Sequence, residues 1–348
     1  MSAGPACPIP LRDYPRVLLA HGGGGRLTHA LIRDLFAAAF ANPALAPLHD
    51  GALLELNGVR FAVTTDSFVV TPRFFPGGDI GSLSVHGTVN DLAMCGARPI
   101  ALTAGFVIEE GLEMEELARV VESMRWAAAA AGVAIVTGDT KVVERGKGDG
   151  LFVNTTGIGV VLDGAAISSR GARRGDAVLV NGPIAEHGIA VMSVREGLEF
   201  ETTLVSDSAA LHGLVADLIA AVGPAVHVLR DPTRGGVSSA LNEIAESSGA
   251  GIRLDEAAIP ISEPVRGACE ILGLDPLYVA NEGKLLAIVE REATDRALAA
   301  MRAHTLGRSA AVIGEVVAEH PGRVMMRSLV GGMRIVDMLS GEQLPRIC

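Results

Sequence analysis

Residues 61–99, FAVTTDSFVVTPRFFPGGDIGSLSVHGTVNDLAMCGARP, set Asp66, Asp79, Asn90 and Asp91 inside otherwise apolar sequence, and this constrains the chain more than any other feature. A carboxylate folded into such surroundings must be paired, hydrogen-bonded or bound to a cation, because a bare buried charge is too costly. The β-branched and aromatic run 61–70 predicts a strand, and Pro76-Gly77-Gly78 a turn. Leu83, Val89, Leu92 and Ala93 are spaced for a helix over residues 82–95, stopped by Gly96 and Pro99. His86, Gly87, Asn90 and Asp91 then fall near one another, since residues three and four apart share a helical face. Two readings fit. Asp66 facing Asn90 and Asp91 offers the oxygen donors that Mg²⁺ prefers; alternatively Asp79 is an N-cap and the others are hydrogen-bonded polar groups bracing a turn.

With 348 residues the chain has room for two domains of ordinary size. A net charge of −11 without basic clusters argues against a nucleic-acid partner, whose phosphates demand Lys and Arg surfaces. No uninterrupted apolar run reaches the roughly 18 residues of a membrane span, and the N-terminus lacks the basic-then-apolar order of a signal peptide. We therefore expect a cytoplasmic protein with no membrane partner. Cys7, Cys95, Cys269 and Cys348 are scattered without a C-x-x-C pair, so neither a zinc site nor a disulfide framework is indicated. Cys95 and Cys269 read as small core residues, whereas Cys348 is the last residue of the sequence.

Gly22, Gly23, Gly24 and Gly25 follow a short apolar run and precede a helix predicted over residues 27–40. Without a following Lys-Ser/Thr this is no P-loop; it is either a mobile arm or a flap whose N–H groups close over phosphates. A strand over 133–137 runs into Gly138-Asp139-Thr140-Lys141, which puts Asp139 and Lys141 at a strand end, and residues 144–150 read as a mobile polar loop. A linker near residues 162–175 divides the chain into comparable α+β halves. In the second half, Asp231-Pro232-Thr233-Arg234-Gly235-Gly236 feeds a helix, a geometry suited to anions. Glu282 lies between two β-rich runs, and residues 339–348 carry too few apolar side chains to pack, which predicts a flexible tail.

Together HGGGG, TTDSF, FFPGGDIG, HGTVNDLAMCGA, GDTKVV, DPTRGG, NEG and the ending PRIC resemble the HypE hydrogenase-maturation family, within the superfamily of aminoimidazole ribonucleotide synthetase and selenophosphate synthetase. The resemblance spans essentially the whole chain. Most of these motifs specify only the superfamily fold and ATP use; the PRIC ending singles out the family.

The resemblance implies a two-domain, PurM-like α+β fold: an N-terminal domain over 1–165 that pairs into a dimeric barrel, a C-terminal domain over 166–338, and a tail over 339–348. It implies an ATP-dependent carbamoyl dehydratase acting on its own C-terminus. A HypF-type carbamoyltransferase loads the Cys348 thiol, ATP activates the thiocarboxamide oxygen, and loss of water leaves a thiocyanate. A HypC–HypD complex accepts the cyano group as an iron ligand of [NiFe]-hydrogenase. In these terms Asp66, Asp91 and Asp139, with Asn90, hold Mg²⁺; Gly22, Gly23, Gly24 and Gly25 cover the phosphates; Thr140 and Arg234 complete the nucleotide set. Glu282 is the first candidate base, Lys141 orients phosphate oxygens, and His86 is a second candidate base. The rival readings are another ATP-using enzyme of the superfamily and a non-enzymatic scaffold whose tail only docks partners.

Overall fold

The computed structural model describes residues 14–197, 204–341, 344 and 346–348; Cys7, most of the Pro-rich N-terminal segment and Pro345 lie outside them. A five-stranded sheet is built from β1 (Ala52–Leu56), β2 (Val59–Phe68), β3 (Ala97–Glu109), β4 (Ala134–Val143) and β5 (Leu151–Val161), in the order β1-β2-β5-β3-β4. Its pairs are antiparallel except β3 with β4. A seven-stranded sheet follows: β6 (Ala177–Val180), β7 (Val226–Arg230), β8 (Gly251–Asp255), β9 (Leu286–Val289), β10 (Ala311–Val317), β11 (Val324–Arg327) and β12 (Met333–Val336), ordered β12-β11-β8-β10-β6-β9-β7.

The helices that position the site are α1 (Arg26–Leu31), α2 (Ile80–Met94), α3 (Met114–Ala130), α4 (Glu186–Arg195), α5 (His212–Val222), α6 (Gly236–Ser248) and α7 (Glu263–Leu272). The start of α2 is fixed by Asp79, whose carboxylate accepts from the N–H groups of Gly81 (2.7 Å) and Ser82 (3.1 Å), while Ser82 Oγ accepts from the Asp79 N–H. This reciprocal cap satisfies donors that a helix cannot satisfy itself. Almost every residue of α2 is buried, because sheet, α3 and second domain enclose it. Its Leu92 and Met94 share one core cluster with Leu179, Leu214 and Leu218, so the two units meet through continuous apolar packing.

Three expectations are corrected. Asp139, Thr140 and Lys141 do not end a strand; they lie within β4, an edge strand exposed along nearly its whole length, because the parallel pairing with β3 runs straight through them. The loop over 144–150 is tied down: Glu109 accepts from the N–H groups of Gly146 and Gly150, and Asp149 pairs with Arg346. The chain end is packed, with Leu339, Ile347 and Cys348 all buried.

Two glycines distinguish tight packing from open space. A Cβ at Gly81 would lie 2.3 Å from the Val120 carbonyl oxygen, whereas at Gly267 in α7 it would meet nothing. Gly81→Ala should cost about 1–3 kcal/mol through overpacking, and Gly267→Ala should hold or raise stability by up to about 1 kcal/mol. Denaturant midpoints of the two variants check both.

Candidate active site

Where the domains meet, separate elements deliver carboxylates to one spot. Asp50 precedes β1, Asp91 comes from α2 and Asp231 follows β7, and one carboxylate oxygen from each lies within 4.8 Å of the others. Burial, reinforced by Asp231, Asp66 and Asp50, pushes Asp91 well above the usual carboxylate range; burial and Asp50 do the same to Asp231. The compensation is incomplete. Arg230 pairs with Asp50 at 2.8 Å and with Glu243 at 2.5 Å, and the Thr64 hydroxyl donates to Asp91 at 2.7 Å. The buried Asp50 Oδ2 accepts no hydrogen bond among the described residues, with His49 Nδ1 3.6 Å away. Three convergent carboxylates with an orphaned oxygen fit a hard divalent cation.

Arg234 spans this cluster and the glycine run. It donates to the Gly22 carbonyl at 3.3 Å and stands 3.9 Å from Asp66. Gly24 has φ +73°, and a Cβ there would lie 2.5 Å from the Arg234 carbonyl oxygen, so only glycine allows the two loops to touch. A polar cavity of about 210 Å³ opens here between Gly24, Thr28, Asp66, Asp91, Asp231 and Arg234. A larger one of about 560 Å³, with Ile32, Leu48, Val228 and Ile244 in its walls, shares Gly24, Thr28, Arg230 and Glu243 with it. An acidic chamber beside a more apolar one has the proportions of a nucleotide-sized site.

The chain end closes the opposite side. The Cys348 thiol is buried beside Glu282, Arg234 and Asp66: burial raises it well above the usual value, Arg234 opposes this, and Glu282 and Asp66 add to it. Glu282 is 3% exposed, its Oε1 has no partner, and burial with Asp231, Asp66 and Asp207 raises its carboxyl strongly. Its backbone is held at both ends: the N–H donates to Asp207 Oδ1 (3.1 Å), and the carbonyl accepts from Asn90 Nδ2 (3.1 Å). Lys284 lies 3.1 Å from both Asp207 and Glu186, which keeps that loop in place.

Sequence profiles of AIR synthase related proteins match the chain over residues 48–161 (N-terminal domain) and 173–327 (C-terminal domain). The Carbamoyl dehydratase HypE of Cupriavidus necator is 59% identical over 334 residues, covering 96% of this chain and 95% of that protein. The chain belongs to the HypE family. A HypE–HypF complex superposes with TM-score 0.85 at 50% identity, covering 89% of this chain and 100% of that one. A HypE structure in complex with ATP superposes with TM-score 0.81 at 52% identity, covering 96% of this chain and 100% of the other. The family's role is ATP-dependent dehydration in hydrogenase maturation, and this chain is such an enzyme.

Within the HypE-type fold, Asp66, Asp91, Arg234, Glu282 and Cys348 gather at the domain boundary, as do Gly22 and Gly24. Asp139, Thr140 and Lys141 do not join them inside one chain. Asp66 is paired across the sheet with Thr155, Thr155 with Ala104, and Ala104 with Gly138, so three strand spacings, about 14 Å, intervene. Asp139 and Lys141 instead form an exposed ion pair at 2.5 Å. The three carboxylates that converge are Asp50, Asp91 and Asp231; Asp66 lines the same cavity without joining that trio, and Asp139 lies outside it. Asp231 stood within the quoted DPTRGG motif, but Asp50 followed by Gly51 carries only the signature of a turn.

Asn90 is also reassigned. Its amide donates to the carbonyls of Ala209 (3.0 Å) and Glu282 (3.1 Å) and accepts from the Leu211 N–H (2.8 Å). Both donors are used, so none faces a nucleotide. Asn90→Leu would leave buried partners unpaired at about 1–3 kcal/mol each, lowering the denaturant midpoint. His86 bonds Ser208 at 3.0 Å, and burial pushes its imidazole from 6.5 down to about 4. A depressed folded value means stability present above pH 6.5 and lost as pH falls through about 4. The stability difference between wild type and His86→Asn, measured by urea unfolding, should shrink across that window.

Proposed function

We propose that the dehydration takes place on a thiocarboxamide carried by Cys348, at the boundary between the carboxylate cluster and Glu282. The observation carrying this reading is the Cys348 thiol itself, buried beside Glu282 and Arg234. Amide dehydration needs the oxygen turned into a leaving group, and ATP supplies that by phosphoryl transfer. Arg234, next to both Cys348 and Asp66, balances charge developing on the transferred group. Phosphorylation of the oxygen releases one nitrogen proton to solvent, and Glu282 takes the second as phosphate leaves and the C≡N bond forms. Burial, with Asp231, Asp66 and Asp207 nearby, raises this carboxyl, which strengthens the carboxylate as a base. Asp50, Asp91 and Asp231 are the residues that would hold Mg²⁺, whose contribution is to neutralise phosphate charge in an acidic protein. Gly24 and its neighbours cover the phosphates, and Thr140, Asp139 and Lys141 remain outside this set.

A HypF-type carbamoyltransferase is the donor partner and a HypC–HypD complex the cyanide acceptor; likeness to a HypE–HypF complex supports the first. A second copy of the chain pairs with the five-stranded sheet. Its edge strand β4 is exposed with Val136 and Val142 on it, and Ile158 on β5 and Leu56 on the opposite edge strand β1 add exposed apolar surface to the sheet, which natural sheets rarely leave uncovered. ATP as co-substrate agrees with a cytoplasmic setting, and among the described residues no helix is long and apolar enough to cross a membrane.

Incubation with a carbamoyltransferase, carbamoyl phosphate and ATP should add a carbamoyl group to Cys348 and then remove water, both visible by intact mass. Glu282→Gln should stop at the thiocarboxamide while still binding ATP. Water loss in a variant lacking Cys348, or normal turnover in Glu282→Gln, refutes the corresponding assignment.

A further inference from the structure

The last three residues all accept hydrogen bonds through their main-chain oxygens, while the Arg346 side chain donates to the Val69 carbonyl at 3.2 Å and Ile347 packs in the core. The Arg346 oxygen accepts from the Thr71 N–H (3.0 Å) and from Arg195 Nη2 (2.8 Å). The Ile347 oxygen accepts from His187 Nε2 (2.8 Å), and the Cys348 oxygen from the Val69 N–H (3.1 Å). The sheet-like contacts with Val69 and Thr71 are generic backbone pairing. His187 and Arg195, both on α4, are not.

Each is itself oriented for the contact. A carbonyl oxygen only accepts, so His187 Nε2 must carry the proton; Nδ1, 2.8 Å from Ser206 Oγ, then accepts from that hydroxyl. The Ser208 N–H donates to Ser206 Oγ at 3.1 Å, completing a directed chain. Burial lowers this imidazole below its ordinary value, and its ring meets Phe75 edge-on with centroids 5.3 Å apart. Arg195 Nε donates to the Thr71 carbonyl at 2.9 Å, so one guanidinium binds both the tail and the strand it lies along. Outside the pocket, Arg346 pairs with Asp149.

Cys348 is 7% exposed, so no second enzyme can load it in this position. We propose that His187 and Arg195 are positioning residues that hold residues 346–348 inward through their main-chain oxygens, setting the balance between an outward thiol for carbamoylation and an inward one for dehydration. This rests on the reading of Cys348 as the reacting residue. It assigns α4 no contact with the reacting atoms.

The test uses the full chain and two readouts. The first is the rate of iodoacetamide alkylation at Cys348, followed by peptide mass mapping without ATP. His187→Phe keeps the ring but removes both nitrogens, and Arg195→Gln removes the fork; each should accelerate alkylation about 5-fold, the scale of one lost hydrogen bond. His187→Gln, which retains an N–H donor, should stay near wild type. Asp149→Asn, at an exposed site, should accelerate it about 2-fold and carries the test, with Arg195→Gln, if His187→Phe does not fold.

The second readout is ATP-dependent water loss from carbamoylated protein, which should slow in the variants whose alkylation speeds up. Cys348 alkylation unchanged in Arg195→Gln and His187→Phe overturns the proposal. So does parallel acceleration at the buried Cys95 and Cys269, which would mean general loosening. Absence of water loss in the wild type would instead sink the reading of Cys348 as substrate, leaving the alkylation rates to decide the clamp by themselves.

Discussion

Charge crowding at the domain boundary governs this structure. Asp50, Asp66, Asp91, Asp231 and Glu282 are brought within one another's field, with Arg230 and Arg234 as the nearby cations. Such a group is costly in a low-dielectric interior, so the fold must hold it there by other means. Continuous apolar packing between α2 and the second domain does so, and the Asn90 amide links α2 directly to the backbone of Glu282 and of residues 209–211. The carboxylates are therefore held by a framework to which they contribute little. Their proximity is functional cost, of the kind found where a polyanion and its cations must be received.

The tail obeys a finer balance. Ile347 is buried in the core around Phe68 and Val70, with Leu344 packed against the same cluster, and full burial of such a side chain is worth about 1.5–3 kcal/mol. The four hydrogen bonds to the oxygens of residues 346–348 add about 1 kcal/mol each. Ordering three residues costs about 1–2 kcal/mol apiece in backbone freedom and up to about 2 more for a long side chain such as Arg346. The terms nearly offset. A segment so held can be resident without being locked, which suits a residue that must visit a partner and return.

Much of the architecture was legible because local rules and burial agreed. The strand through Asp66, the helix after Asp79 and the helix fed by the loop from Asp231 to Gly236 follow from periodicity and turn residues. What escaped was decided at long range. Asp50 looks like an ordinary turn residue until β1 carries it beside Asp91. His187 sits in an apolar helix where nothing local announces that residue 347, far along the chain, will bring it a carbonyl. Glycine next to Asp139 suggested a strand end, but the parallel ladder with β3 carried the strand through it. The tail was misread because a count of apolar side chains ignores backbone oxygens, and those oxygens are what the rest of the protein grips.

The inward site also orders the two half-reactions. A thiol must ionise, at least in part, to attack an activated carbamoyl group, yet burial beside Glu282 and Asp66 raises Cys348 far from that condition. The pocket that receives the sulfur thus suppresses its nucleophilicity. Once the sulfur is carbamoylated there is no thiol proton left to lose, and the neutral thiocarboxamide carries no charge to be penalised by the neighbouring acids. In the proposed reaction its N–H groups meet Glu282, whose Oε1 has no hydrogen-bond partner among the described residues. The same environment therefore disfavours reaction of the free thiol and accommodates its carbamoylated form, so loading outside must precede dehydration within.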